Sequence, residues 1–98
     1  MDDQLHWQVE GDRLTLAGEL QRDTLLPLWQ QRTEVMRGVE IIDVAGLQRV
    51  DSGGLALLVH LRQSVLECGK TPRFTGITDK LLSLITLYNL QKIIAESE

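Results

Sequence analysis

The sequence predicts a single α/β domain over residues 1–98, in which helices pack on a small mixed β-sheet. Two observations lead to this fold class. Short alternating or continuous apolar segments, typical of strands, are separated by longer segments with apolar residues at helical spacing. The 98 residues are the length of one domain, and a composition of 43% hydrophobic and 24% charged residues is that of a folded protein. The predicted order is β-β-α-β-α-β-α, with parallel crossovers around the helices.

The first two strands are predicted as a hairpin over residues 5–18. Apolar and polar residues alternate in residues 5–9, as in a strand with one buried face. Gly11 and Asp12 form a turn signal, and the alternation then resumes in residues 14–18. This stretch therefore predicts two neighbouring antiparallel strands.

The first helix is predicted to begin near Asp23, with Asp23 and Thr24 as its cap, because their side-chain oxygens can accept from first-turn N–H groups. Pro27 fits that first turn, where its missing N–H has no partner to lose. Gly38 is expected to end the helix. Trp29 has the spacing of a core residue, and we assign it to the core rather than to an interface.

Residues 39–44 are mostly β-branched and apolar, which is typical of a central strand buried on both faces. Residues 45–50 are interpreted as a loop that leads into the next helix. That helix has apolar residues at helical spacing and ends at Gly69. Cys68 lies on its apolar side, so we expect a buried and inert thiol there.

A short strand is predicted at residues 73–75, followed by a last helix that Asp79 caps. We expect residues 92–98 to fray at the end of the chain. The apolar residues of the last helix are Leu81, Leu82, Ile85 and Tyr88.

Composition excludes several classes of function. The net charge is −4 and Lys and Arg do not cluster, which argues against binding to nucleic acid or to an anionic membrane surface. The longest apolar run, residues 55–61, is too short to cross a bilayer, so we expect no membrane insertion. Residues 1–4 lack the features of a signal peptide, and a cytoplasmic location is expected. A single cysteine allows neither an internal disulfide nor a cysteine metal site, and no cofactor is expected.

No catalytic constellation is evident, so we expect that the protein is not an enzyme. A hydrolase that uses Ser52 would need a base within about 3 Å of the hydroxyl, and His60 lies about two helical turns further along the chain. Asp43 and Asp51 are candidates for a carboxylate pair for acid–base chemistry or for a cation site. A solvated strand end and a helix cap explain these two residues better.

The most distinctive segment is Asp51-Ser52-Gly53-Gly54, where an apolar strand gives way to a helix. Asp51 and Ser52 are good N-cap residues, and each glycine in a first helical turn costs roughly 0.5–1 kcal/mol relative to alanine. Two such unfavourable glycines indicate that the chain itself or a partner approaches the start of this helix closely. From the residues alone, Ser52 is a contact point, a phosphate acceptor or only a cap.

These segments resemble the STAS domains of anti-sigma factor antagonists and sulfate transporters. The resemblance rests on residues 16–20 with residues 23–24, and on residues 43–52, in which Ser52 matches the serine that a kinase phosphorylates in the sigma-regulating members. Two positions depart from the family pattern: Gln21 replaces the usual aspartate, and Gly53 replaces the usual serine or threonine. Both departures weaken the interpretation as a phosphorylation-switched sigma regulator, which remains our alternative.

Residues 25–29, 53–58 and 87–90 are similar to the MlaB-type STAS subunits of the Mla ABC transporter. That transporter moves phospholipids between the membranes of Gram-negative bacteria and maintains outer-membrane lipid asymmetry. The resemblance implies a non-catalytic cytoplasmic subunit that binds the ATPase subunit, and through it the membrane permease, at the inner membrane. The expected docking residues are Asp51, Ser52, Gly53, Gly54 and Leu55, with Arg49 and Gln48 at the rim and His60, Arg62 and Ser64 on the following helix.

Overall fold

The computed structural model describes residues 5–94, which form four strands and three helices. The elements are β1 (Leu5–Glu10), β2 (Arg13–Leu20), α1 (Leu26–Val35), β3 (Ile41–Val50), α2 (Ser52–Glu67), β4 (Arg73–Thr75) and α3 (Asp79–Leu87). The predicted element order is confirmed. The expectation that residues 92–98 fray was wrong for the part that the structure describes, because Ile94 is buried in the core and its N–H donates to Leu90 O at 2.8 Å. The expectation about a signal peptide in residues 1–4 and that of fraying in residues 95–98 lie outside the described residues.

The sheet has the order β1-β2-β3-β4. The pair β1–β2 is antiparallel, as expected for a hairpin, whereas β2–β3 and β3–β4 are parallel. Parallel neighbours need a crossover connection, and α1 and α2 provide the two crossovers. The mixed α/β fold class is therefore confirmed.

The strand β3 is longer than predicted, because residues 45–50 continue it instead of forming a loop. Its register with β2 shifts twice: β3 advances six residues from Asp43 to Arg49 while β2 advances four from Thr15 to Glu19. Extra residues of this kind form bulges, which bend a strand and hide the alternating pattern. The bulges explain why this part of the strand was missed, and they carry β3 directly to the start of α2.

The sheet is buried on one face only, so the prediction of a strand buried on both faces was wrong. Leu14 and Leu16 of β2 and Ile42 of β3 are fully buried, whereas Thr15 and Ala45 on the opposite face are exposed. The helices cover the buried face. The α2 residues in this core are Leu55, Leu57, Leu58, Leu61 and Val65.

The helix starts differ from the prediction in two places. Helix α1 begins at Leu26 rather than near Asp23, and no side chain caps it. Helix α3 begins at Asp79, as expected, but its cap is Thr78, whose hydroxyl accepts from Leu81 N at 3.2 Å. The predicted endings of α1 and α2 are confirmed, since Gly38 and Gly69 follow them with positive φ.

Cys68, which was predicted to be buried, and two apolar residues of the last helix lie at the surface. Cys68 is exposed at the end of α2, so the expectation of a buried thiol was wrong. Leu82 and Tyr88 of the last helix are about half exposed, at 50% and 49%. Within residues 5–94, no helix has the length and apolarity to cross a membrane.

Candidate functional site

The start of α2 is held in place by Asp51, the N-cap residue. One carboxylate oxygen, Oδ1, accepts from Gly54 N at 2.8 Å, and the other, Oδ2, accepts from Arg22 N at 3.1 Å. The first bond satisfies an otherwise unpaired first-turn N–H. The second joins the helix to the segment after β2. The cap predicted from the sequence is thus present, and it also fixes the helix to the neighbouring chain.

These bonds influence the titration of Asp51. Partial burial of the carboxyl raises its pKa, but the hydrogen bonds from Gly54 and Arg22 and the charge of Arg22 outweigh that effect. The net result is that the pKa of Asp51 lies below its ordinary value. Asp51 is therefore ionised at neutral pH, and its negative charge is favourable at the positive end of the helix.

The two glycines of the turn have different roles. A Cβ at Gly54 would lie 2.0 Å from Leu20 O and 2.8 Å from Leu20 C, which no side chain can accommodate. A Cβ at Gly53 would lie 3.3 Å from Arg22 Cβ, a tight contact that a small shift can relieve. Close approach by the chain itself therefore explains Gly54, and helix α2 is seated directly on the end of β2.

Ser52 is the exposed residue of this turn. It is the first residue of α2 and is exposed beside the half-buried Asp51 and Gly53. Gly54 and Leu55 are buried and support the turn from below. Ala56 and His60 continue the exposed stripe along the helix, at the spacing of one turn each.

An apolar depression of about 280 Å³ lies beside Ser52. Leu55 and Ala56 of α2 form one wall, and Tyr88 and Leu90 at the end of α3 form the other. Sequence reasoning missed this feature because it named Tyr88 only as an apolar residue of the last helix, without assigning it to a surface. The only signal was the segment 87–90, which contributed to the family resemblance without indicating a surface.

Trp29 and His60 connect α1 to the exposed stripe of α2. Their rings meet edge to face with centroids 5.0 Å apart. The guanidinium of Arg32 lies 3.6 Å from the centre of the Trp29 ring and donates to Trp29 O at 2.7 Å. Trp29 is half-buried against the core, so one side of the indole packs as predicted and the other carries a surface cluster.

The remaining predicted docking residues lie at the two ends of this surface. Gln48 and Arg49 are exposed at the end of β3, next to the cap of α2. Arg62 is half-buried, and Ser64 donates to His60 O at 3.2 Å. The structure therefore brings Arg49, Asp51 and Ser52 to one edge of the sheet and places Ser64 along α2, three turns away.

The geometry does not assemble the catalytic sets considered from the sequence. His60 lies about 12 Å along the helix axis from Ser52, given a rise of about 1.5 Å per residue, and its ring contacts Trp29. The Asp43 carboxylate accepts hydrogen bonds from Arg13 Nη1 at 3.0 Å and from Ala45 N at 3.0 Å. The Asp51 carboxylate instead accepts from backbone N–H groups, among them Gly54 N. Among the described residues, no cluster of three metal-ligating side chains is found.

Comparison with known families decides the classification. The family model described as "Mlab, STAS domain" matches residues 4–95. This chain belongs to the STAS domain family. The resemblance noted in the sequence is thereby confirmed, over nearly the whole chain.

Two relatives carry the name "intermembrane phospholipid transport system binding protein MlaB". The Escherichia coli K12 protein is 46% identical over 90 residues, which cover 92% of this chain and 93% of that protein. The Haemophilus influenzae protein is 35% identical over 102 residues, covering 93% of this chain and 96% of the relative. Both names describe binding proteins rather than enzymes.

Solved structures share the fold at low sequence identity. A putative anti-sigma factor antagonist from Thermotoga maritima superposes with a TM-score of 0.70 at 17% identity, covering 96% of this chain and 86% of that one. The Bacillus cell fate determinant SpoIIAA in its phosphorylated form has a TM-score of 0.65 at 12% identity, with coverage of 96% and 91%. These similarities establish the family fold.

Proposed function

We propose that this protein is a non-catalytic subunit of an ABC transporter that moves phospholipids between bacterial membranes, and that it binds the ATPase subunit. The names of the two relatives support the transport system. The observation that supports a docking role is the exposed hydroxyl of Ser52, which sits on a helix start that the rest of the fold immobilises.

The immobilisation has a physical benefit for binding. Asp51 joins the helix start to Arg22, and Gly54 packs on Leu20 O. The turn that carries Ser52 is therefore already ordered before a partner binds. A surface that is already ordered loses less conformational entropy when a partner binds. The same rigidity is expected to make the site sensitive to any group larger than a serine hydroxyl.

The proposed docking surface has a polar part and an apolar part. The polar part comprises Ser52 with Arg49 and Gln48 at its rim and His60 further along α2. The apolar part is the depression between Ala56 and Tyr88, which offers a place for an apolar side chain of the ATPase. An apolar centre with a polar rim is the usual organisation of a protein–protein interface.

In this proposal the protein is cytoplasmic and is held at the inner membrane through its transporter partner. The ATPase subunit is the direct partner, and the membrane permease is contacted indirectly. Binding stabilises the folded ATPase by mass action, since a partner that binds only the native state shifts its unfolding equilibrium. The protein itself supplies no catalytic group in this proposal.

The experiment that tests the proposal is substitution of Ser52→Asp, compared with wild type. A carboxylate in the first helical turn is compatible with the fold, because it interacts favourably with the helix dipole. Burial of that charge against the ATPase without a cationic partner is costly. We therefore expect affinity for the ATPase subunit to fall about tenfold or more, where tenfold corresponds to about 1.4 kcal/mol.

The matched control is Ser83→Asp, which introduces the same charge at an exposed serine of α3 that does not line the apolar depression. It should retain wild-type affinity. The measurements are native co-purification with an affinity-tagged chain and titration of the purified ATPase subunit. Equal affinity of Ser52→Asp and wild type would refute the docking site. Recovery of an anti-sigma kinase, with a phosphate added to Ser52, would replace the transporter proposal by the anti-sigma alternative.

A further inference from the structure

A second depression, of about 200 Å³, lies at the carboxyl end of β3. Its walls come from the last residues of β3, from Gln21 after β2, and from the first two turns of α3. The carboxyl ends of parallel strands are where open α/β sheets bind ligands. The proposed docking surface includes two of its lining residues, Gln48 and Arg49, at its rim, but not the rest of the depression.

Two cationic side chains line this depression, Arg49 from β3 and Lys80 from α3. None of its lining residues is acidic, although the chain as a whole has a net charge of −4. Two acidic residues are neighbours of these cations: Glu19 is paired with Arg49 across the strands, and Asp79 precedes Lys80 in the sequence. Within residues 5–94, neither of these carboxylates forms an ion pair with the two cations. The depression is therefore a local concentration of positive charge.

The other lining groups suit an anion that carries a small carbon skeleton. The side-chain amides of Gln21 and Gln48 offer additional N–H donors. Thr78 uses its oxygen to accept from Leu81 N at 3.2 Å, which leaves its O–H available as a donor. Buried Leu47 and Leu81 supply apolar surface.

The size of the depression limits the ligand. It is smaller than the roughly 300–1,000 Å³ of sites for drug-sized molecules, so a nucleotide is too large. The planar guanidinium of Arg49 matches two phosphate oxygens at once, and Lys80 adds a point charge. A phosphate ester of a three-carbon alcohol has both the charge and the size that these groups accept.

We propose that this depression binds the phosphate group of a glycerophosphate ester, with Arg49 and Lys80 as its charged contacts. The same chemical group occurs in free glycerol 3-phosphate and in the headgroup of an anionic phospholipid. The proposal shares Arg49 with the rim of the proposed docking surface but does not rest on ATPase docking, because anion binding is measured on the isolated chain.

The test is a nitrogen-15 NMR titration of the full chain with three probes. These are inorganic phosphate, glycerol 3-phosphate, and phosphatidylcholine vesicles with and without phosphatidic acid. We expect saturable shifts of the amide signals of Arg49, Thr78 and Lys80 with glycerol 3-phosphate, or broadening of the same signals with the phosphatidic acid vesicles. The first result identifies a soluble ester as the ligand, and the second a lipid headgroup.

Charge-removing variants establish which side chains bind. Arg49→Gln and Lys80→Gln should each weaken binding about tenfold, because each removes a charge-assisted hydrogen bond. Arg49→Lys should keep part of the affinity. Arg37→Gln is the matched control, because it removes the same charge from an exposed arginine that follows α1 and does not line the depression. This variant should bind as wild type does. Wild-type spectral dispersion in each variant shows that the fold is retained.

Several outcomes would overturn the proposal. The absence of saturable change with glycerol 3-phosphate and with both vesicle types excludes the site. Equal weakening by Arg37→Gln would indicate unspecific attraction of anions to the surface. Shifts that map away from the depression would place the anion elsewhere. Inorganic phosphate that binds as tightly as glycerol 3-phosphate would contradict the ester assignment.

Discussion

The starts of α1 and α2 have similar sequences but different structures. Asp51 precedes α2 and caps it, as the sequence predicts. Asp23 and Thr24 precede α1 in the same way, but α1 begins only at Leu26, and no side chain caps it. The same residue types therefore mark both helix starts, whereas only one of them caps a helix.

The difference arises from what lies next to each segment. The Thr24 hydroxyl donates to Glu19 O at 2.7 Å and accepts from Gln21 N at 2.9 Å, so it closes the turn that leaves β2. Thr24 is 9% exposed, and buried polar groups of this kind must find partners. Asp51 instead lies over the free N–H groups of α2. A capping residue type thus indicates a turn, and its neighbours decide which backbone groups it satisfies.

The strongest test of the α2 start is substitution of Gly54→Ala. Its new Cβ would lie 2.0 Å from Leu20 O, so helix or strand must move. We expect the free energy of unfolding to fall by about 3 kcal/mol, the upper end of what overpacking costs. Gly53→Ala is the control, with a closest contact of 3.3 Å, and should change stability by less than about 1 kcal/mol. Urea denaturation measures both, and equal effects would show that α2 is not seated on β2.

At the start of α1, the informative substitution is Thr24→Val. It keeps the volume but removes the hydroxyl that serves Glu19 O and Gln21 N. A part-buried donor and acceptor left without partners should lower the free energy of unfolding by about 1–3 kcal/mol. Asp23→Ala, next to it and exposed, should change stability by less than about 0.5 kcal/mol. If Asp23→Ala lowered the free energy of unfolding strongly and Thr24→Val did not, the result would contradict this account and favour Asp23 as the cap of α1.

Asp51 gives a smaller effect that depends on pH. Its pKa is lower in the folded state than the ordinary 3.8, so the folded state binds fewer protons. The stabilisation is therefore complete above the unfolded pKa and is lost as the pH falls through the folded pKa. Asp51→Asn keeps an N-cap acceptor but removes the charge. Thermal unfolding between pH 6 and pH 2 should show wild type losing more stability than Asp51→Asn, and parallel curves would contradict this account.

Some of the fold follows from local patterns. The β1–β2 hairpin, the cap at Asp51 and the end of α2 at Gly69 were all predicted, because alternation, capping and a C-terminal glycine act within a few residues. The extension of β3 was missed, since its bulges arise from pairing with β2 and leave no period in the sequence. The half-exposed position of Tyr88 depends in the same way on how much of α3 its neighbours cover.

The sequence by itself determined the fold class, the family and the segment that contains Ser52, because periodicity and short motifs record them directly. Only the tertiary structure decided which surfaces exist around that segment. The apolar depression joins Ala56 to Tyr88, and the cationic one joins Arg49 to Lys80. Residues about thirty positions apart meet there because parallel crossovers return the chain to the same edge of the sheet. Such contacts depend on how helices and strands pack together, and the local sequence pattern of one element contains no information about that packing.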